Sequence, residues 1–435
     1  MMKLSGYLIK GAVLCGLWFC MQGQSAVAQS QVDTSQQIVP GRVNLKAQQQ
    51  KPYLVMISID GFRWDLADKY NARFLQKMRA QGVKAQSMQP SYPSLTFPNH
   101  YAIITGMYPS HHGIVDNYFY DPVKKASYKV GDKNAVLDSS WYGAEPLWVL
   151  AEKAGMLTAS FYWVGTEAAI DGVRPTYYYN YNETIPIDHR VSVVKNWLEL
   201  PQDKRPHLIT FYFPEVDHME HMHGVDSPET QAAVQYVDQS IEKLYDSCMA
   251  TGLPVNFIVL SDHGFANLDT TKYLSVPKLD TSHYLIRGGS ALTHIYAKDE
   301  QGKKSLNNLY KELKTNAQNY KVFKASKTPK RWHYRSKDNK DGRIGDILLV
   351  PYPPYSFYFG GRKGLGAHGF DNQLPEMQAT FYAWGPKFNQ HQEIKNFPNI
   401  AVYPMAARLL GLKIPVNLKI DGKLKTLAPI LKKDQ

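Results

Sequence analysis

The chain has 435 residues, enough for one large α/β domain or two ordinary ones, and its 44% hydrophobic and 12% aromatic content is that of a packed globular protein. This composition excludes a protein that is disordered over most of its length. A formal charge of +12 favours anionic partners such as phosphate esters, nucleic acid or lipid head groups, without choosing among them.

The first 28 residues have the three parts of a secretory signal peptide. Lys3 and Lys10 form the basic start, residues 11–21 are the apolar run, and Ala26-Val27-Ala28 matches a cleavage site. Because the apolar run is too short to cross a bilayer, no transmembrane anchor is expected. We therefore predict cleavage after Ala28 and a periplasmic or secreted protein.

Cleavage would also change the composition. Removing two lysines and no acid lowers the formal charge to +10, and Cys248 becomes the only cysteine, so no internal disulfide is expected. Residues 29–50 are rich in Gln and Ser without periodicity, which predicts a flexible leader.

The predicted elements alternate between strands and helices along the rest of the chain. Continuous apolar runs predict strands at 53–60, 83–88, 157–162, 207–213 and 255–264. Helices are predicted near 70–81, from about Asn99, and near 145–154, 189–199, 229–250 and 398–410. The aromatic, turn-rich segment 171–187 is expected to be a surface loop. This alternation favours one α/β domain, residues 51–435, with a mainly parallel central sheet flanked by helices.

Three of these strands end on, or just before, an acidic residue. Asp60 ends the first, Asp217 follows 207–213, and Asp262 lies at the end of 255–264. Since parallel strands place their carboxyl ends at one edge of a sheet, where α/β folds build their sites, we expect these carboxylates to lie together.

Histidines accompany two of the acids at metal-ligand spacing. Asp217 and His221 are four residues apart, so they share one face of a helix. With His368 they would form a site of three protein ligands and one open position, the composition of a catalytic zinc centre.

A second site is predicted from the adjacent pair Asp262 and His263. With Asp60 and the oxygen of Thr96 this pair would complete a second set of metal ligands. Imidazole and carboxylate ligands without thiolate suit zinc best, with manganese and iron as alternatives.

The segment 91–117, SYPSLTFPNHYAIITGMYPSHHGIVDN, has the features of a nucleophile loop. Pro93 and Pro98 flank Thr96 just before the helix predicted from Asn99. A helix start offers free backbone N–H groups and partial positive charge, which suit an anionic reacting group. A lone threonine there is more often a helix cap, so its catalytic role depends on the metal ligands nearby.

Several motifs together resemble the nucleotide pyrophosphatase/phosphodiesterase family of the alkaline phosphatase superfamily, in a secreted bacterial member. They are TFPNH, TGxxPxxHGI, the Asp-Asn pair at 116–117, Asp-x-x-x-His, Asp-His-Gly and His-Gly-Phe-Asp-Asn, in family order from about residue 53 to 410. The segment PKRWHYR is also family-like, and residues 275–365 around it are expected to form a capping insertion.

The resemblance implies an alkaline-phosphatase-like fold and hydrolysis of phosphodiester or pyrophosphate bonds at a two-zinc site. Thr96 would be the nucleophile, forming a phospho-threonine intermediate, and Asn117 would stabilise the phosphoryl group. Phe97 and Tyr181 correspond to the family's facing rings, which would stack on a nucleobase. The expected substrate is a small phosphodiester of nucleotide type; nucleic-acid-specific binding is not expected, and the oligomeric state stays open.

The sequence departs from the family where Glu220 replaces a usual glycine, and His218 and His223 crowd the same segment. These changes keep the ligand spacing but leave the shape of the substrate entrance open, and His218 or His223 could be an alternative ligand or a nearby polar group. A phosphodiesterase acting on choline-type lipid head groups is an alternative, with Glu183 or Glu220 as the acid beside a quaternary ammonium.

Three other classes fit the sequence less well. A phosphate monoesterase would need a lysine and an arginine, and residues 160–185 offer only Arg174. A sulfatase would need a cysteine or serine in place of Thr96. A non-catalytic, metal-stabilised binding protein would be expected to have lost Thr96 or a ligand, and none is lost.

Overall fold

The computed structural model describes residues 34–339 and 341–433. The predicted signal peptide, residues 1–28, lies outside the described residues. Among the described residues, no helix combines the length and apolar character needed to cross a membrane.

A nine-stranded sheet forms the centre of the described structure. In chain order its strands are β1 Gln36–Ile38, β2 Tyr53–Ile59, β3 Val83–Ala85, β4 Thr158–Phe161, β5 Tyr177–Tyr179, β6 Leu208–Phe213, β7 Val255–Leu260, β8 Phe381–Trp384 and β9 Gln392–Ile394. Their spatial order is β1-β5-β4-β6-β2-β7-β8-β3-β9. Strands β5, β4, β6, β2 and β7 run parallel, whereas β8 is antiparallel to both of its neighbours. The predicted mainly parallel sheet is confirmed.

The α-helices of the described residues are α1 Leu66–Lys69, α2 Arg73–Gln81, α3 Thr96–Thr105, α4 Pro109–His112, α5 Lys133–Leu137, α6 Leu147–Lys153, α7 Ile187–Glu199, α8 Glu215–His223, α9 Pro228–Met249, α10 Glu300–Asn316, α11 Val402–Leu409 and α12 Leu424–Leu427. Alternate residues of β2 belong to two different cores. Leu54 and Met56 pack in the core that contains α3, α6 and α11, while Val55 and Ile57 pack in the core that contains α2, α7 and α9. Every residue of β2 is buried because helices cover both faces of the sheet.

The remaining strands form small sheets. Met88–Gln89 pairs with Phe397–Pro398, Tyr118–Asp121 with Ala126–Lys129, Ala266–Asn267 with Gly366–Ala367, and Tyr273–Ser275 with Ser356–Tyr358. A four-stranded antiparallel sheet, called here the inserted sheet, contains Tyr284–Gly288, Thr293–Ala297, Ile347–Pro351 and Tyr320–Lys324. The inserted sheet and α10 share a hydrophobic core of their own, which includes Ile295, Leu313 and Leu349.

Two sequence predictions for the edge of the central sheet differ from the structure. The segment 171–187 contains strand β5, and residues 34–50, expected to be part of a flexible leader, contain strand β1, which pairs antiparallel with β5. Asn44 is buried and donates hydrogen bonds to the backbone oxygens of Gln202 and Arg205. Both segments are fixed by long-range pairing, which local composition does not indicate.

Smaller differences concern element ends. Helix α3 begins at Thr96 rather than near Asn99, because Pro98 occupies the first turn, where its missing N–H is tolerated. The strand predicted at 83–88 is divided into β3 and the separate strand Met88–Gln89. Strand β7 ends at Leu260, so Asp262 and His263 lie in the loop after it.

Candidate metal centre

The carboxyl edge of the central sheet carries the predicted ligands. Ile59 of β2 is paired with Phe213 of β6, and Ser58 is paired with Leu260 of β7, so the three strands end side by side. Asp60 follows β2 directly, and Asp262 lies two residues after the end of β7. The third strand leads into α8, which carries Asp217 and His221.

One group of ligand atoms lies around His263. Its Nε2 is 3.3 Å from Asp60 Oδ1 and 3.0 Å from Asp262 Oδ2. Thr96 Oγ1, on the first residue of α3, is 3.2 Å from the same Nε2. The ligand atoms of Asp60, Asp262 and His263 all lie within 4.8 Å of one another.

A second group lies around His368. Its Nε2 is 3.2 Å from His221 Nε2, and Asp217 Oδ1 is 3.6 Å from the Nε2 atoms of both histidines. The sequence assigned His263 only to the first group, but its ring stacks on His368 at 3.7 Å between centroids. The ligand atoms of Asp217, His263 and His368 also lie within 4.8 Å of one another. His263 therefore lies between the two groups.

Backbone carbonyls orient the three histidines. The Nδ1 atoms of His263, His368 and His221 lie 3.1, 3.0 and 3.3 Å from the backbone oxygens of Gly264, Ser94 and Gly366. A carbonyl can only accept, so each Nδ1 donates, which leaves Nε2 as the atom that faces the other ligands and can bind a metal. This is the arrangement found in metal-binding histidines.

The carboxylates also fit a metal. Asp60 Oδ1, Asp217 Oδ1 and Asp262 Oδ2 are buried and have no hydrogen-bond partner among the described residues. Burial, then the charges of Asp262 and Asp217, raise the pKa of Asp60 well above its usual range. Burial opposes ionisation of Asp262, but His263 and His100 hold the pKa of Asp262 well below its usual range. A bound cation would stabilise these buried carboxylate oxygens, and this set of oxygen and nitrogen ligands suits zinc.

His100 is a residue of this site that sequence reasoning missed. It is fully buried beneath Thr96, with its Nδ1 3.0 Å from the Thr96 backbone oxygen and 3.3 Å from Asp262 Oδ2. Its Nε2 is 2.8 Å from Ser58 Oγ. The available signal was its position four residues after Thr96, on the same face of α3.

Asn117 is fixed by the loop that carries Thr96. The backbone N–H of Phe97 donates to Asn117 Oδ1 at 3.0 Å. The carbonyl oxygen of this amide is thereby occupied, and its NH₂ group is left to donate to an anion in the adjoining cavity.

That cavity, called here the nucleophile cavity, has a volume of about 330 Å³ and is lined by Asp60, Thr96, Asn117 and Asp217. Both predicted substrate rings, Phe97 and Tyr181, line it, as do other aromatic and acidic side chains: Tyr162, Trp163, Tyr212, Glu167 and Glu183. Tyr181 is 45% exposed, and its hydroxyl donates to Glu183 Oε1 at 2.7 Å. Two rings and the nucleophile therefore share one cavity.

The structure does not place Glu220 in the nucleophile cavity, where an acid beside a quaternary ammonium would lie. This side chain is fully buried away from the cavity, with neither oxygen hydrogen-bonded among the described residues. It fills the space beside Gly61, where a Cβ atom would lie 2.8 Å from Glu220 Oε2. Glu220 therefore does not shape the entrance. Of its crowded neighbours only His218 lines the cavity, whereas His223 lies 3.6 Å from Glu229.

Comparisons with known proteins agree with the family resemblance of the sequence motifs. Residues 54–371 match the family profile described as type I phosphodiesterase/nucleotide pyrophosphatase. The chain is 33% identical over 397 residues to ectonucleotide pyrophosphatase/phosphodiesterase family member 1 of Rattus norvegicus, covering 88% of this chain and 43% of that protein. It is 33% identical over 393 residues to venom phosphodiesterase 2 of Crotalus adamanteus, covering 86% and 47%. The chain thus spans less than half the length of these relatives.

Solved structures of murine ectonucleotide pyrophosphatase/phosphodiesterase 5 share the alkaline-phosphatase-like α/β fold. The murine protein is 29% identical, with a TM-score of 0.80 over 88% of this chain and 100% of that chain. An inactive variant of it in complex with AMP matches with the same TM-score and coverage at 28% identity.

Proposed function

Because the chain belongs to the type I phosphodiesterase/nucleotide pyrophosphatase family, we propose that it hydrolyses phosphodiester or pyrophosphate bonds of nucleotides through a phospho-threonine intermediate at a two-zinc site. One observation carries the proposal. Thr96 Oγ1 lies 3.2 Å from His263 Nε2, at the point where three buried carboxylate oxygens without hydrogen-bond partners converge.

The residues divide into two sets of candidate zinc ligands. The first is Asp60, Thr96, Asp262 and His263, and the second is Asp217, His221 and His368. When bound, the two ions would lower the pKa of the threonine hydroxyl and neutralise charge on the phosphoryl group.

The chain's own groups account for the remaining chemistry. As the alkoxide, Thr96 Oγ forms a bond to phosphorus, and the leaving oxygen departs with the electron pair of the broken P–O bond. The NH₂ group of Asn117 donates to a phosphoryl oxygen as the negative charge on that oxygen grows. The backbone N–H of Phe97, which donates to Asn117 Oδ1, holds the amide in position for this contact. Water then attacks the phospho-threonine, which releases the nucleotide and restores Thr96.

A diester rather than a monoester is supported by the lining of the nucleophile cavity, which contains no lysine or arginine among the described residues. Arg174 is not part of it and donates instead to the backbone oxygen of Glu167 at 2.8 Å. A monoester carries an additional negative charge, which this cavity offers no cationic side chain to bind.

A second candidate substrate class is a choline-type phosphodiester. Tyr162, Trp163 and Tyr181 line the nucleophile cavity together with Glu183, and such rings beside an acid suit a quaternary ammonium. We favour the nucleotide because the relatives are named as nucleotide pyrophosphatases and a structural neighbour was solved with AMP. Faster hydrolysis of glycerophosphocholine than of any nucleotide diester would reverse this preference.

The test of the covalent mechanism is Thr96→Ala. We expect turnover of a nitrophenyl nucleotide diester to collapse while zinc content and the circular dichroism spectrum stay unchanged, because a methyl group cannot attack phosphorus. Thr426→Ala, an exposed threonine on α12, is the control and should retain full turnover. Near-normal turnover by Thr96→Ala would contradict the covalent mechanism.

We also propose that the protein acts in the periplasm or outside the cell. This proposal is supported by the sequence of residues 1–28 alone.

A further inference from the structure

A second cavity adjoins His221, one of the candidate metal ligands. Its volume is about 410 Å³, and it shares no lining residue with the nucleophile cavity. His221 lines it, together with the Gly288–Ser290 turn and parts of the segment 357–367. It is called here the His221 cavity. A space of this size is sufficient for a ligand of several heavy atoms.

His221 links this cavity to the ligand group that does not contain Thr96. In an in-line displacement, the attacking and leaving oxygens lie on opposite sides of phosphorus, each near a different metal site. Thr96, the attacking group, belongs to the ligand group around Asp60 and Asp262. The leaving oxygen is therefore expected near the other group, which includes His221, and the rest of the leaving group would extend into the His221 cavity.

The two cavities differ in charge. Acidic side chains line the nucleophile cavity, among them Glu167 and Glu183, whereas no acidic residue lines the His221 cavity among the described residues. Arg362 lines the His221 cavity, is exposed, and has no ion pair or hydrogen bond to any described residue. A guanidinium in this situation is free to bind an anion, and phosphate matches its geometry.

The segment that carries Arg362 is held against the metal site. The backbone N–H of Leu365 donates to the His221 oxygen at 3.0 Å, and a Cβ atom at Gly364 would lie only 2.9 Å from that oxygen. Lys363 Nζ donates to the Thr270 oxygen at 3.1 Å and lies over the Tyr273 ring. Lys363 is thus used to fix the segment, and Arg362 remains as the cation available to a ligand.

Resting on the proposed phosphodiesterase function, we propose that the His221 cavity is the leaving-group subsite and that Arg362 selects leaving groups bearing further phosphate. As Thr96 Oγ bonds to the scissile phosphorus, the bridging P–O bond breaks. The bridging oxygen keeps the electron pair and becomes a terminal oxygen of the departing phosphate. Arg362 binds the negative charge of that departing group.

The experiment compares two substrates that share one nucleotidyl group. Thymidine 5′-triphosphate releases pyrophosphate, and the p-nitrophenyl ester of thymidine 5′-monophosphate releases nitrophenolate. In Arg362→Ala we expect the ratio of kcat/KM for the triphosphate to kcat/KM for the ester to fall about tenfold, the scale of one charge-assisted hydrogen bond. Arg362→Lys should lose less because the charge is kept. Added salt should shrink the difference between wild type and Arg362→Ala, a change that a purely structural role would not produce.

Arg73→Ala is the matched control. Arg73 is an exposed arginine on α2 that lines neither cavity, so this variant removes the same charge without touching the subsite. Its substrate ratio should equal that of the wild type. An unchanged substrate ratio in Arg362→Ala, or an equal fall of the ratio in Arg73→Ala, would overturn this inference but not the proposed function. Wild-type protein that hydrolyses neither substrate would refute the proposed function and the inference with it.

The phosphate in the subsite has two possible sources: a released pyrophosphate or a second nucleotide. The exposed ring of Phe359, at 51% exposure, lines the same cavity and offers a face for a second base. A pyrophosphate-linked dithymidine dinucleotide is the third substrate. If Phe359→Ala lowers kcat/KM for the dinucleotide more than for the triphosphate, the subsite takes a nucleotide. If Phe359→Ala lowers kcat/KM for the two substrates equally while Arg362→Ala still lowers the substrate ratio, the subsite takes pyrophosphate.

Discussion

Tyr212→Phe tests whether the hydrogen bonds to the candidate metal ligands keep these side chains in position to bind zinc. Tyr212, on β6, donates through its hydroxyl to Asp60 Oδ2 at 2.5 Å, while Oδ1 of the same carboxylate faces His263 at 3.3 Å. The hydroxyl therefore fixes the carboxylate with one oxygen directed at the metal position. Phenylalanine keeps the packing of the ring and removes only this contact.

The expected magnitude follows from the burial of Asp60, which is 2% exposed. A hydrogen bond to a buried charged group contributes about 1.5–3 kcal/mol, and losing a contact that supports a metal ligand typically lowers metal affinity about 10- to 100-fold. The two ranges agree, since about 1.4 kcal/mol corresponds to a factor of ten. We expect zinc to bind Tyr212→Phe about 10- to 100-fold more weakly than wild type.

The assay is a competition for zinc between the apoprotein and a chromophoric chelator. Tyr177→Phe is the control, since the Tyr177 hydroxyl donates to the Lys204 backbone oxygen at 3.0 Å, away from the ligands. Unaltered zinc affinity in Tyr212→Phe would refute this account, as would an equal loss in Tyr177→Phe.

Two further predictions concern the metals and the substrate rings. Dialysis against a chelator should abolish diester hydrolysis and lower the melting temperature, because the ions tie together distant chain segments, and zinc should restore both; undiminished hydrolysis by fully demetallated protein would contradict the two-metal site. Phe97→Ala should raise KM for a nucleotide diester far more than for a methyl diester, since stacking contributes about 1–3 kcal/mol per base. Equal losses on the two substrates would exclude stacking on Phe97.

The clustering of the candidate ligand side chains could be expected from the sequence because it follows from short-range rules. Asp60 comes directly after one apolar strand and Asp262 two residues after another, and the spacing of Asp217 and His221 needs only one helix. The placement of His263 between both ligand groups could not be predicted, because it depends on its ring stacking against His368, more than a hundred residues later. Such a contact has no local signature.

The errors have related causes. Glu220 was one of two acids considered beside a quaternary ammonium, but consecutive residues on a helix point about 100° apart, and Glu220 is buried beside Gly61 and does not line the nucleophile cavity. Strand β5 was predicted as loop because Tyr177–Tyr179 is a short run within turn-forming residues. Its pairing with β4 and β1 outweighs the local composition.

The short parallel pair formed by Tyr273–Ser275 and Ser356–Tyr358 has a consequence for how this chain can change over evolutionary time. The pair joins the two ends of the segment 276–355, which contains the inserted sheet and α10. The inserted sheet and α10 have a hydrophobic core of their own. Because the ends of this segment are already paired, its length adds little to the entropic cost of placing His368 next to His263. Loops within this segment can therefore change in length while the candidate ligands keep their geometry, whereas residues such as Tyr334 and Leu348 pack in the main core and stay fixed. New substrate preferences can arise there without rebuilding the metal centre.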